Sequence, residues 1–277
     1  MISGRTKLIA HLGVPTESFK APMIYNPYFA KHAIDAVVVP MGCRAEDYPQ
    51  FLKLLFRLTN IHGALVTMPH KVTTVDLLDE VSTAVKIAGA CNAIVLRADG
   101  TLLGDMFDGE GFVRGVRRKG LVLDGARVLV VGAGGVGSAI AASLAAAGIA
   151  RIGLHDVNPG NAAALGARLR AHYPQLGISV GSSDPAGYDL VVNATPLGMK
   201  AGDPLPFDVS RLAAPTFVGE VVMKQEMTPL LEAAKARGCR VQVGLDMLFE
   251  QIPAYLEFFG FPTTTPDELR AVAKIAY

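Results

Sequence analysis

Cysteine is scarce in this 277-residue chain: Cys43, Cys91 and Cys239 are the only three. They are odd in number and far apart. That excludes a disulfide framework and a near-neighbour CxxC metal pair, so no metal is expected and a reducing cytoplasm fits best. Tryptophan is absent, and the most continuous apolar stretch, Ala139 to Ala147, is Ala-rich and broken by Ser143. A membrane helix needs about 20 apolar residues, so no bilayer span is expected. The start, Met1 to Arg5, runs into a strand-like segment without the long apolar region of a secretion signal. An excess of either charge is also missing, since 26 basic and 25 acidic side chains leave a net +1. Without clustered basic charge there is no footprint for nucleic acid or an anionic membrane. The expected partner is a small molecule, with a homodimer allowed.

What is present is an alternation of short apolar runs and helical patterns. At roughly 100–200 residues per domain, the length suggests two domains. In the first hundred residues the runs are Leu8-Ile9-Ala10, Ala36 to Val39 and Ala64 to Thr67. Between the last two, Phe51, Leu54, Leu55 and Leu58 recur at i, i+3, i+4 and i+7, the pattern of one buried helical stripe. Asp99-Gly100, between Ala93–Leu96 and Leu102-Leu103, predicts a type I′ hairpin and an antiparallel edge on a mixed sheet. After Gly120 the alternation restarts with strands at Val128–Val131, Ile152–His155, Leu190–Val192, Phe217-Val218 and Val241–Val243. Helices between them imply a parallel sheet. From Asp246 two helices follow, split by Gly260 and Thr263 to Thr265. The expected fold is therefore α/β with two domains. Residues 1–108 plus 246–277 form an α/β substrate domain with a mixed sheet, and residues 109–245 form a dinucleotide domain with a Rossmann-type parallel sheet.

Gly132-Ala133-Gly134-Gly135-Val136-Gly137 matches G-x-G-x-x-G directly after the strand Val128 to Val131 and at the opening of an Ala-rich helix. In that context Gly132 permits a tight turn, Gly134 lets the backbone approach a pyrophosphate, and Gly137 lets helix and strand pack closely. Asp156 ends the next strand about 20 residues beyond, where an acid accepts hydrogen bonds from the adenosine ribose and repels a 2′-phosphate. NAD is expected over NADP. The bland alternative for Asp156 is a loop carboxylate beginning the turn Asn158-Pro159-Gly160.

Val66-Thr67-Met68-Pro69-His70-Lys71 places a polar strand end, a proline turn and a lysine in succession, and ligands of open α/β sheets bind off the carboxyl ends of strands. On local grounds alone Lys71 is a solvated lysine and Asp108 a helix N-cap. Several segments together resemble the shikimate dehydrogenase family along nearly the whole chain: Gly13-Val14-Pro15, the Val66 to Lys71 segment, Gly89-Ala90-Cys91-Asn92, Gly104 to Gly109, Asn193 to Met199, and Gly244 to Leu248 with Gln251. The resemblance implies an oxidoreductase that interconverts a ring alcohol and ketone with a nicotinamide cofactor, as in aromatic amino acid biosynthesis. It implies Lys71 and Asp108 at the proton-transfer step, Thr67, Asn92 and Gln251 around the substrate, and Thr195 and Met199 near the nicotinamide. Which of Lys71 and Asp108 takes the proton stays open, since a nearby carboxylate favours the charged ammonium.

The chain departs from that family at its substrate anchor. Where family members carry S-x-S-P or S-x-T-P, two hydroxyls for the substrate carboxylate, this chain has Phe19-Lys20-Ala21-Pro22. The family's loop histidine is Tyr25, the usual tyrosine before Thr228-Pro229 is Val222 or Met223, and further polar positions are Leu65, Met106 and Phe107. Phe19, Ala21 and Tyr25 are therefore expected to line an altered substrate site, and shikimate is not the expected substrate. The alternatives are a shikimate or quinate dehydrogenase that holds the carboxylate otherwise, and a nucleotide-binding regulatory protein without turnover.

Overall fold

The computed structural model of the protein describes residues 2–275. Contacts divide the chain into two units. The first comprises Met1–Val85, Gly89–Phe107 and Ile252–Tyr277, and the second comprises Lys86–Ala88 and Asp108–Gln251.

In the first unit β1 (Lys7–Gly13) leads through α1 (Pro22–Lys31) to β2 (Ala36–Gly42), then through α2 (Tyr48–Leu55) to β3 (Ile61–Val66). β1 pairs in parallel with β2 on one side and β3 on the other, the outcome of successive βαβ crossovers. A two-residue strand β4 (Glu80–Val81), helix α3 (Thr83–Ala88) and the hairpin β5 (Ala93–Leu96) and β6 (Leu102–Asp105) follow. The sheet order is β2-β1-β3-β5-β6-β4, with β5 antiparallel to β3 and β6 antiparallel to β5. The hairpin is thus internal. The edges are β2 and β4, and β4, parallel to β6, is too short to leave a hydrophobic period in the sequence.

Two local expectations are corrected. Only Gly100 of the turn has positive φ, at 86°, and its N–H donates to the Arg97 carbonyl while the Arg97 N–H donates to Thr101. This is a three-residue loop with glycine in the left-handed position, which a type I′ turn would require at Asp99 as well. In α2 the buried stripe is Tyr48, Leu52 and Leu55, whereas Leu54 and Leu58 are more than half exposed. Both stripes fit a 3.6-residue period, and the sequence alone did not say which one meets the sheet.

The second unit opens with α4 (Asp108–Arg118), then alternates β7 (Arg127–Val131), α5 (Gly135–Ala146), β8 (Arg151–His155), α6 (Pro159–His172), β9 (Gly177–Val180), β10 (Leu190–Asn193), β11 (Phe217–Glu220), α7 (Pro229–Ala236) and β12 (Arg240–Gln242). All six strands are parallel, in the order β12-β11-β10-β7-β8-β9. Val128 and Val130 face one core with Phe112, Ile140 and Leu144, while Leu129 and Val131 face another with Leu230 and Leu231. Burial on both faces is why these strands read as continuous apolar runs. Three helix starts share one capping pattern. Asn158, Thr228 and Thr265 each accept a backbone N–H at a helix start, and a proline occupies the next position. α8 (Gly244–Phe258) carries the chain from the second unit back to the first, and α9 (Pro266–Val272) follows.

The corrected face of α2 is testable. Leu52→Ala should destabilise the protein by about 2–5 kcal/mol, the cost of a cavity in a packed core. Leu54→Ala should stay within about 0.5 kcal/mol. Urea denaturation of both variants decides it, and equal losses would restore the original stripe.

Candidate active site

The order of the parallel sheet reverses between β7 and β10, and the loops leaving these two strands meet at that switch point. Gly132, with φ of 103°, lies so close to the next loop that a Cβ would stand 2.7 Å from the Ala194 carbonyl carbon. A Cβ on Gly137 would collide with the Gly132 carbonyl oxygen. Gly134 differs, because its Cβ position meets nothing within 4 Å. It precedes α5 as an N-cap without a side chain to satisfy the helix N–H groups. An open, glycine-lined helix start with unpaired donors fits a pyrophosphate. Ala133, Gly135 and Val136 complete this loop.

The loop after β10 is held by polar groups rather than by packing. Asn193 Oδ1 accepts the Thr195 hydroxyl at 2.6 Å and the Thr195 N–H at 3.1 Å, and the Thr195 oxygen accepts the Leu197 N–H. Asp203 accepts the N–H groups of Gly198 and Lys200. Thr195 therefore shapes the loop, and Met199, 47% exposed, is its outward-facing side chain. Beneath the loop, at the paired end of β11, Glu220 is fully buried. Its Oε2 accepts the Thr228 hydroxyl at 2.9 Å, and its sealed Oε1 has no partner. Burial pushes this carboxyl up to about 7, opposed by the Thr228 and Asn193 side chains. Asp203 and Glu220 were not singled out from sequence, and Asn193 entered only as the first residue of the Asn193 to Met199 segment.

Asp156 follows β8, but its carboxylate is already engaged. Oδ2 accepts the Ala133 N–H at 2.7 Å, and Oδ1 accepts the Asn158 N–H and the Asn161 amide. Partial burial would raise its pKa, and these donors outweigh that and lower it. Also in this unit, Asp108 opens α4, buried, and Gln251 is 7% exposed with Oε1 unpartnered. Gln251 lies where α8 approaches α4 so closely that a Cβ on Gly111 would be 2.7 Å from its own Cβ.

In the first unit the loops after β1 and β3 are tied together. The Thr67 N–H donates to Leu12, the Val14 N–H donates to Met68, and the Cys91 N–H donates to Lys71. Lys71 is half-buried at the end of this turn. Its neighbour His70 is structural, because its ring stacks on Tyr48 at 3.9 Å and its Nε2 lies 2.9 Å from the Cys43 carbonyl oxygen. Thr67 packs against Gly13, where a Cβ would collide with the threonine methyl and stand 3.1 Å from the Phe19 ring. Phe19 is buried and stacks on His11 at 4.1 Å. Ala21, also buried, precedes α1, and the Ser18 hydroxyl donates to the Pro15 carbonyl. Tyr25 is 1% exposed with its hydroxyl unpartnered. Asn92 is buried, and its Oδ1 accepts the Phe107 N–H at 2.9 Å. Phe107 packs on Tyr255 and Phe258. Among the described residues no cluster of candidate metal ligands occurs, and no helix is long and apolar enough to cross a membrane.

A glycine-lined helix start at the switch point of a parallel sheet, with a lysine-bearing loop on a separate mixed sheet, defines an α/β protein of the Rossmann-type nucleotide-binding class. Comparison with known proteins narrows this. The model of the shikimate dehydrogenase substrate binding domain matches residues 12–94, and that of the ThiF family matches residues 116–158 across the glycine loop. The shikimate dehydrogenase (NADP(+)) of Rubrobacter xylanophilus is 35% identical over 267 residues, covering 94% of this chain and 93% of that one. The shikimate 5-dehydrogenase of Listeria monocytogenes, solved with shikimate and NAD, superposes with a TM-score of 0.91 at 26% identity, over 98% of this chain and 97% of that one. The ligand-free 5-ketofructose reductase of a Gluconobacter species superposes with a TM-score of 0.89 at 26% identity, over 98% of both chains. The chain belongs to the shikimate dehydrogenase family.

These relatives overturn the expected preference for NAD over NADP. The Rubrobacter protein and further curated relatives are NADP(+) enzymes. The physical reason the sequence misled is visible at Asp156. Its carboxylate holds the glycine loop and the following turn, so its presence carries no information about a ribose hydroxyl.

Glu220 supplies a test of the loop's foundation. A carboxyl whose folded pKa lies near 7, against 4.5 for the free group, binds more protons folded than unfolded between those values. Its burial therefore costs stability as pH rises through that window. Glu220→Gln should gain stability relative to wild type from about pH 4.5 to 7 and hold the gain above it. Parallel urea-denaturation curves for the two proteins across that range would show that Glu220 is ionised throughout.

Proposed function

We propose that this protein is a nicotinamide-dependent alcohol dehydrogenase or ketone reductase whose substrate is an uncharged hydroxylated ring or ketose rather than shikimate. The observation that carries it is the segment 18–21. Phe19 is buried against His11, Ala21 has no polar group, and the Ser18 hydroxyl is spent on the Pro15 carbonyl. A bound carboxylate would find no hydroxyl there, and each donor lost costs on the order of 1–3 kcal/mol. The Gluconobacter protein, named for 5-ketofructose, offers a precedent on a similar structure for a substrate other than shikimate.

In this proposal the second unit, with Gly132 to Gly137, Thr195 and Met199, takes the cofactor, and the first unit takes the substrate. When bound, the cofactor supplies or accepts the hydride. The chain's own task is the oxygen and its proton. The Lys71 ammonium hydrogen-bonds the reacting oxygen and gives it a proton as a ketone is reduced. For oxidation the hydroxyl proton must leave through the same pair, with Asp108 as partner to the lysine. Thr67, Asn92 and Gln251 orient the ring.

A second reading, a shikimate dehydrogenase with a differently held carboxylate, is favoured by the names of the curated relatives. One panel separates the two. NADPH consumption with 5-ketofructose and related cyclic hydroxyketones should exceed shikimate-driven NADP(+) reduction. Shikimate oxidation with kcat/KM of about 10⁴ M⁻¹s⁻¹ or above would establish the second reading instead. On the preferred substrate, Lys71→Ala and Asp108→Asn should each lower kcat by roughly 100-fold or more, with cofactor affinity nearly unchanged. Wild-type turnover in either variant would return that residue to an ordinary surface lysine or helix cap.

A further inference from the structure

We infer that His11 is a substrate-specificity residue, its imidazole donating a hydrogen bond to an uncharged oxygen of the substrate beside Lys71. The inference rests on the proposed activity and adds to it the group that selects the ligand.

His11 occupies the carboxyl-terminal half of β1, where Ile9, Ala10 and Leu12 are fully buried. It is in register with Leu65 of β3 and Pro40 of β2, so the sheet offers it apolar neighbours on both sides. One ring face is covered by Phe19, at 4.1 Å and 28° between planes. The residue is 8% exposed. Nδ1 is sealed without a hydrogen-bond partner, and Nε2 makes no hydrogen bond to another described residue yet is not sealed. A strand interior of this kind would be served better by valine or leucine, because an unpaired buried polar group opposes folding. The nitrogen is therefore retained for something other than the fold.

Its surroundings say what it meets. Gly13, Phe19 and Thr67 pack against one another at the same strand ends, and the charge of Lys71 reaches the imidazole. His11 thus belongs to the environment of the lysine assigned to the reacting oxygen. Burial, and then Lys71, hold its pKa down to about 4, so at neutral pH the ring is uncharged. A sealed Nδ1 with no acceptor is better left without a proton, since orphaned buried N–H groups are the rarer defect. That leaves Nε2–H as the donor. A neutral donor suits a hydroxyl or carbonyl oxygen and brings no positive charge for a carboxylate, which agrees with the missing hydroxyls at Phe19 and Ala21.

The test compares His11→Leu and His11→Gln with wild type by three readouts. The probes are 5-ketofructose, fructose and shikimate. His11→Leu should raise KM for the uncharged ketose turned over by roughly 10- to 100-fold, the range for a lost hydrogen bond in a buried site. kcat should stay within about threefold, and His11→Gln should recover part of the affinity. The ligand-free melting temperature of His11→Leu should equal or exceed that of wild type, since no protein hydrogen bond is lost. A fall of several degrees would show that the imidazole holds the fold and would overturn the inference, as would an unchanged KM. Calorimetric binding separates this inference from the proposed activity. Ketose binding that weakens in His11→Leu without any turnover sinks the activity and keeps the specificity residue. If neither ketose binds the wild type, or shikimate binds with an affinity that His11→Leu leaves unchanged, the role of His11 is refuted.

Discussion

The second unit depends on a backbone contact that excludes side chains. At the switch point between β7 and β10, the turn at Gly132 and the chain at Ala194 approach to a distance at which even a methyl group would collide. The start of α5 is pressed equally close to the same turn at Gly137. With no side chains between them, the peptide groups themselves form the surface. Gly134, which faces open space, then exposes helix N–H groups where a diphosphate can approach. The adjoining loop brings only the Ala194 methyl group to this junction. It is held instead by Asn193, Asp203 and the buried Glu220, which is why polar groups collect beneath an otherwise hydrophobic sheet end.

Much of this was legible in the sequence because parallel-sheet physics writes itself in long runs. β7, β8 and β10 are buried on both faces and read as apolar segments, whereas Asn158-Pro159-Gly160, read as a turn, is the capped start of α6. The failures share a cause. β4 and β9 are short edge strands with little burial, so no hydrophobic period announces them. The face of α2 and the turn at Asp99-Gly100 were ambiguous because two arrangements satisfied the same local rule, and tertiary packing chose. For the site, the spacing of Gly132 to Gly137 was informative, and the identity of Asp156 was not. A carboxylate at that position serves a ribose or a turn equally well, and only its donors tell them apart.

Asp156 and His11 form a physical pair of opposites. Both are polar groups near the carboxyl ends of strands, where ligands of such sheets bind. Asp156 has its oxygens filled by Ala133, Asn158 and Asn161, and so belongs to the fold. His11 is more deeply buried and has no partner, so the fold gains nothing from its nitrogens. Counting satisfied donors and acceptors therefore sorts residues that sequence spacing treats alike. By the same count His70, stacked on Tyr48 and bonded to Cys43, is scaffold despite standing next to Lys71 in the motif.

Main-chain bonding also separates the frame of the first unit from its side chains. The loops after β1 and β3 are fixed to each other by main-chain hydrogen bonds, Thr67 to Leu12 and Val14 to Met68, that do not involve the side chains lining the site. Side chains at 19 and 21 can therefore be exchanged without moving the lysine that follows β3. Phe19 fills its position by stacking on His11, so loss of a hydroxyl and gain of an aromatic wall come together. In the proposed activity this end of the site offers the substrate an apolar wall with His11 beside it as a neutral donor. Main-chain bonds hold the two loops together, and the side chains at 19 and 21 take no part in that task.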